Sequence, residues 1–172
     1  MKLCYLAPMD QGPSGFISFA KSSISEGELV EAVSDVLVND FSTVELLCQT
    51  KGGWEGWLQG ALSIHLTRSG YDVQREVRVY GDRRAADLVI GDACVIELKA
   101  LGLARDIGPF FDDVDVDVAK LQSINGTRFG VVVVPGFSPQ VFAYAQRRLK
   151  DFTLMRQRCS KTMNLYVIRV RD

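Results

Sequence analysis

Three charged residues stand inside an otherwise apolar stretch, RRAADLVIGDACVIELKA over positions 83–100: Asp87, Glu97 and Lys99. Glu97 and Lys99 are two apart, so on a β-strand they share one face while Leu98 points to the other. Where Asp87 lands depends on the turn. A three-residue loop, Gly91-Asp92-Ala93, pairs Ile90 with Cys94 and sets Asp87 directly opposite Glu97, with all three charges on one face. A two-residue Gly91-Asp92 turn sets Asp87 opposite Ile96 and splits the carboxylates between faces. The longer loop, or a bulge, is the better reading. It alone gathers Leu88, Ile90, Cys94, Ile96 and Leu98 on one core-facing side.

Directly opposed like charges cost a sheet roughly 0.2–1 kcal/mol when exposed. A divalent cation offsets that cost. Mg²⁺ favours a few carboxylate oxygens together with waters and substrate phosphate, and Mn²⁺ can substitute. Lys99, next along the same face, can orient or help deprotonate an attacking water and stabilise developing negative charge. Such a set suits hydrolysis of a phosphodiester.

The surrounding pattern has to deliver these groups to one place. Residues 1–25 hold Pro8, Gly12, Pro13 and Gly15 and read as an irregular segment, with a short strand near 16–19. Ser25 followed by Glu28 reads as a capping box. Leu29, Val33, Val36 and Leu37 continue it as a helix to about 41. A second helix runs from about 54 to 69 on the apolar face of Trp54, Trp57, Leu58, Ala61, Leu62 and Leu66, and Gly70 ends it. Strands follow over 73–80, 85–90 and 93–100. Asp112 or Asp113 then caps a helix to about 124. Residues 128–134 form a strand buried on both sides. Ser138 and Pro139 open a helix to about 150, and 164–170 is a last strand. The order ααβββαβαβ defines an α/β fold with a mixed central sheet flanked by helices, and the length of 172 residues is that of a single domain.

The acidic residue at 87, the nine-residue gap and the triplet Glu97-Leu98-Lys99 resemble the PD-(D/E)xK nuclease superfamily. Gly52-x-x-Glu55, Ala61-Leu62 and Gly70 ahead of them are similar to its GxxExxY branch. The likeness spans about residues 52–100. Ala86 stands where the motif has proline, and Leu58 where the branch has tyrosine. The resemblance implies a restriction-endonuclease-like fold and a Mg²⁺-dependent nuclease. Asp87, Glu97 and the Leu98 carbonyl would bind the metal, Lys99 would handle the water, and Glu55 would assist or hold a second ion. By family habit the substrate is DNA ahead of RNA. The rival reading is an inactive nuclease-fold module that binds nucleic acid or a protein partner.

Charge distribution fits a polyanionic substrate without requiring one. Formal net charge is −1. Positions 147–172 carry eight Lys or Arg against two Asp, whereas 106–117 carry five Asp and no basic residue. Arg83, Arg84 and Lys120 are candidate phosphate contacts. Asp112, Asp113, Asp115 and Asp117 read chiefly as charges at a helix N-terminus, with a further metal ligand as the sharper alternative. Trp54 and Trp57 fit core packing better than base stacking. His65 is the single histidine, which argues against His-based or HNH-type chemistry. Cys4, Cys48, Cys94 and Cys159 form no CxxC pair, so a zinc site is not indicated. No apolar run is long enough for a membrane span or a signal peptide, and the expectation is a cytoplasmic protein. A two-fold homodimer would let so short a chain grip or cut both strands.

Overall fold

A computed structural model describes residues 20–51, 53–92, 94–136, 138–156 and 163–170. The strand expected near 16–19 lies outside them. Three helices come first: α1 (Glu26–Asn39), α2 (Phe41–Cys48) and α3 (Glu55–Arg68). Then follow β1 (Val73–Val77), β2 (Ala86–Ile90), β3 (Cys94–Ala100), α4 (Ile107–Gln122), β4 (Thr127–Pro135), α5 (Pro139–Arg148), β5 (Thr153–Arg156) and β6 (Met163–Val170). The predicted order ααβββαβαβ is present, with two further short elements, α2 and β5.

Local chemistry explains most boundaries. Ser25 and Glu28 form the expected capping box at the start of α1. Ser138 accepts from the Val141 amide, and Pro139 opens α5. One expectation is corrected. Asp112 and Asp113 do not cap the fourth helix, because α4 begins five residues earlier, after Asp106. Ile107, Phe110 and Phe111 add an apolar turn that docks on the sheet, and that burial outweighs the local preference of aspartate for a cap.

The strands form one six-stranded sheet in the order β1-β2-β3-β4-β6-β5. β3 and β4 are parallel and joined through α4; the other pairs are antiparallel. Helices α1, α2 and α3 cover one face, where Leu29, Leu37, Trp54, Leu58 and Leu62 pack with Leu88, Ile96, Leu98 and Val131. Helices α4 and α5 cover the other, with Phe110, Phe111, Ala145 and Leu149 against Val132, Val134 and Tyr166. Alternate valines of β4 thus enter opposite cores, which accounts for its unbroken β-branched run. No helix among the described residues is long and apolar enough to cross a membrane.

Candidate functional site

The β2–β3 hairpin has the register of the three-residue loop. Ile90 pairs with Cys94, Val89 with Val95, and Leu88 with Ile96. Leu88, Ile90, Cys94, Ile96 and Leu98 lie in the α1–α3 core. Asp87, Glu97 and Lys99 therefore face α4, beside Val89 and Val95.

Beyond the Leu88–Ile96 pair the two strands part. The Leu98 amide donates to Asp87 Oδ2 at 2.7 Å, so the carboxylate takes the place of a strand carbonyl. Glu97 is only 3 % exposed, and its Oε1 accepts from the Tyr80 hydroxyl. Lys99 Nζ lies 3.0 Å from Glu55 Oε1 and 2.8 Å from Asp117 Oδ2. Glu55 Oε2 also accepts from the Ala100 amide at 3.3 Å. Asp117, 5 % exposed, holds Lys120 with its other oxygen.

Four carboxylates (Glu55, Asp87, Glu97 and Asp117) thus gather around two ammonium groups, Lys99 and Lys120. The acids outnumber the bases, and burial sharpens the repulsion. Burial pushes the Glu97 carboxyl up to about 8; Asp87 and Asp117 add to the rise, and the Tyr80 hydroxyl opposes it. Asp87 is raised as well, chiefly by burial and then by Glu55, against the Leu98 amide and Lys99, which favour its ionised form. Burial alone would lower Lys99, but Glu55 and Asp117 outweigh it and hold the ammonium charged.

This donor set suits a hard divalent cation. Asp87, Glu97 and the Leu98 carbonyl, to which Lys99 Nζ approaches at 3.5 Å, offer oxygen only. A 2+ charge would cancel the excess of buried acid. Among the described residues no group of three or more His, Cys, Asp or Glu side chains is arranged to hold a metal ion. Two carboxylates and a carbonyl accord with Mg²⁺, which keeps several waters and takes the rest of its shell from substrate phosphate.

The candidate phosphate contacts are dispersed. Arg83 is exposed in the connection between β1 and β2. Arg84 pairs with Asp82 at 2.7 Å and lies over the Tyr80 ring, 5.7 Å from its centre. Lys120 turns inward to Asp117 instead of standing free on the helix. In the basic stretch 147–172, Arg148 is spent on Asp112 and Asp115 at 2.9 and 2.6 Å, while 157–162 and 171–172 lie outside the described residues. Trp54 is fully buried, and its indole N–H donates to the Leu101 carbonyl at 3.1 Å, so it belongs to the core. His65 stands half-exposed on α3, 3.9 Å from Asp35.

No family model, curated protein or solved structure matches the chain. Function therefore rests on the residues and their geometry.

Three participants were not distinguished by sequence. Asp117 looked like its neighbours Asp112, Asp113 and Asp115. Those three are exposed and paired with Arg148 or Arg105, whereas Asp117 falls on the buried line of Phe110, Val114 and Leu121. That helical spacing was the available signal. Tyr80 follows β1 in an irregular connection, where no periodicity applies. Gln59 follows Glu55 by one helical turn, so the i, i+4 relation could have marked it.

Proposed function

We propose that the chain is a metal-dependent nuclease, a hydrolase of phosphodiester bonds in nucleic acid, with DNA the expected substrate. The observation that carries this reading is the convergence of Asp87 and Glu97 on one face of the sheet beside a lysine that two acids keep charged. Asp87, Glu97 and the Leu98 carbonyl would hold Mg²⁺ or Mn²⁺. When bound, that ion supplies charge neutralisation at the scissile phosphate and a more acidic water. Lys99 positions the water and meets the developing negative charge. Glu55 and Asp117 hold Lys99 in place, and Tyr80 orients Glu97. Arg83, and Arg84 once released from Asp82, would meet phosphates of the substrate backbone. A cytoplasmic setting accords with the free, buried thiols of Cys48 and Cys94.

The test is cleavage of supercoiled plasmid, duplex and single-stranded oligonucleotides, and RNA, each with Mg²⁺ or Mn²⁺, by wild type and by Lys99→Ala. Wild-type cleavage that falls by at least about 100-fold in the variant is expected. Equal cleavage by both proteins would remove Lys99 from the reaction. A second reading draws on the same contacts. Lys99 and Lys120 are paired through Asp117, and Glu97 is held by the Tyr80 hydroxyl, internal contacts that also suit an inactive module. Tight binding of nucleic acid or a protein partner, with no cleavage under either metal, would favour that module.

A further inference from the structure

Gln59 occupies a point where the sheet comes apart. Between the pairs Arg75–Leu88 and Val77–Ala86, Glu76 lies opposite Asp87 but makes no strand pair with it. Glu76 has φ +54°, a left-handed conformation that a non-glycine residue rarely takes. Its peptide is turned out of the ladder, and the Asp87 carbonyl accepts instead from Gln59 Nε2 at 2.8 Å. The same nitrogen donates to Glu76 Oε1 at 2.7 Å, and Gln59 Oε1 accepts from Arg75 at 2.9 Å. Two acceptor-only partners and one donor-only partner admit a single orientation of the carboxamide. Gln59 is 4 % exposed, so its carboxamide is withdrawn from water even though Arg75 and Glu76 reach it from the exposed side, and a misplaced polar group there is costly.

Asp87 is thereby fixed from both sides. Its side chain binds the Leu98 amide of β3, and its carbonyl binds α3 through Gln59. One turn earlier on α3, Glu55 holds the Ala100 amide and Lys99. A single helix edge therefore carries one clamp for each strand of the hairpin. Strain at a non-glycine residue persists only where its surroundings over-determine it, and it concentrates at functional sites. Here that strain frees the Asp87 carbonyl and aims the Glu76 carboxylate at Gln59.

We propose that Gln59, oriented by Arg75 and Glu76, is a positioning residue that sets the Asp87 carboxylate for metal binding. The metal part rests on the nuclease reading above; the positioning part does not. The test uses Gln59→Met, which keeps the bulk and removes the carboxamide, and Arg75→Met, an exposed site whose change releases Gln59 Oε1 without opening the core. The first readout is metal-free amide hydrogen exchange. The Leu98 amide should lose protection by about tenfold or more in Gln59→Met and less in Arg75→Met, while the Ala100 amide, held by Glu55, keeps its own. The second is Mn²⁺ titration by calorimetry, where affinity should fall roughly 10–100-fold, as expected when a group supporting a metal ligand is lost. Uniform loss of protection across the sheet, or an unchanged Leu98 amide, overturns the positioning role. Should Gln59→Met fail to fold, Arg75→Met decides by the same two amides. If Leu98 responds and wild type binds no Mn²⁺, the positioning role stands and the nuclease reading falls.

Discussion

Asp117 of α4 and Lys99 of β3 meet at 2.8 Å, in a site where each side chain is mostly withdrawn from water. The contact ties the crossover helix to the strand that carries Glu97. Lys99 is thereby held between a carboxylate on each side of the sheet, Asp117 on α4 and Glu55 on α3. A flexible four-carbon stem becomes a fixed cation.

Asp117→Asn should be strongly destabilising. It keeps the shape but takes from Lys120 the buried carboxylate that pairs with it and leaves Lys99 with Glu55 alone. Breaking one partner of a buried ion pair costs roughly 3 kcal/mol or more. The urea midpoint should fall with the slope unchanged. An unfolding free energy within about 0.5 kcal/mol of wild type would mean that the pair contributes almost nothing.

The fold was legible wherever one pattern dominated. The capping box of α1, the valine run of β4 and the alternation along 94–100 each agree with a single element. α2 was missed because its eight residues, FSTVELLC, follow α1 after Asp40 alone, and no side chain caps the break. β5 is four residues long and is defined by pairing with β6, which no local signal carries. At the site, the shared face of Asp87, Glu97 and Lys99 followed from strand parity and from the demand that five apolar residues stay together. The roles of Asp117 and Gln59 depended on which helices arrive over that face, and only tertiary packing decides that.

Stability should fall as pH rises from about 5 to 8. The Glu97 carboxyl is pushed up to about 8 from an ordinary value of 4.5. Over that interval the native state keeps a proton that the unfolded chain has released, so unfolding becomes progressively easier. Asp87, also raised, contributes with the same sign. Glu97→Gln should flatten the slope of unfolding free energy against pH. A slope of wild-type size in the variant would assign the titration elsewhere.

Divalent ions should stabilise wild type, increasingly so at higher pH, where the acids release protons to bind metal. At 100 times the dissociation constant the gain is about 2.7 kcal/mol. Thermal unfolding with and without Mn²⁺ reads this directly. Asp87→Asn should abolish the rise in Tm. A rise that persists in the Asp87→Asn variant would place the ion at other ligands.

Gly91 holds the hairpin register, and Gly91→Ala tests it without touching the charged residues. Its φ is +57°, and a Cβ there would come within 2.5 Å of the Ser22 carbonyl oxygen. The Gly91 amide also donates to the Asp72 carbonyl at 2.9 Å, which pins the loop from the other side. The neighbouring atoms are the carbonyl oxygen, Cβ and Cα of Ser22, none of which a rotamer change moves, so only a backbone shift relieves the overlap. The left-handed conformation costs an alanine roughly 1–2 kcal/mol, and the overlap adds about as much again. The loop is therefore expected either to shift, weakening the pairing of Ile90 with Cys94, or to unfold the hairpin. Either outcome displaces Asp87 from Glu97, so Mn²⁺ stabilisation should fall together with the denaturation midpoint. A variant with wild-type stability would show that Ser22 yields freely and that the Leu88–Ile96 and Val89–Val95 pairs alone set the register.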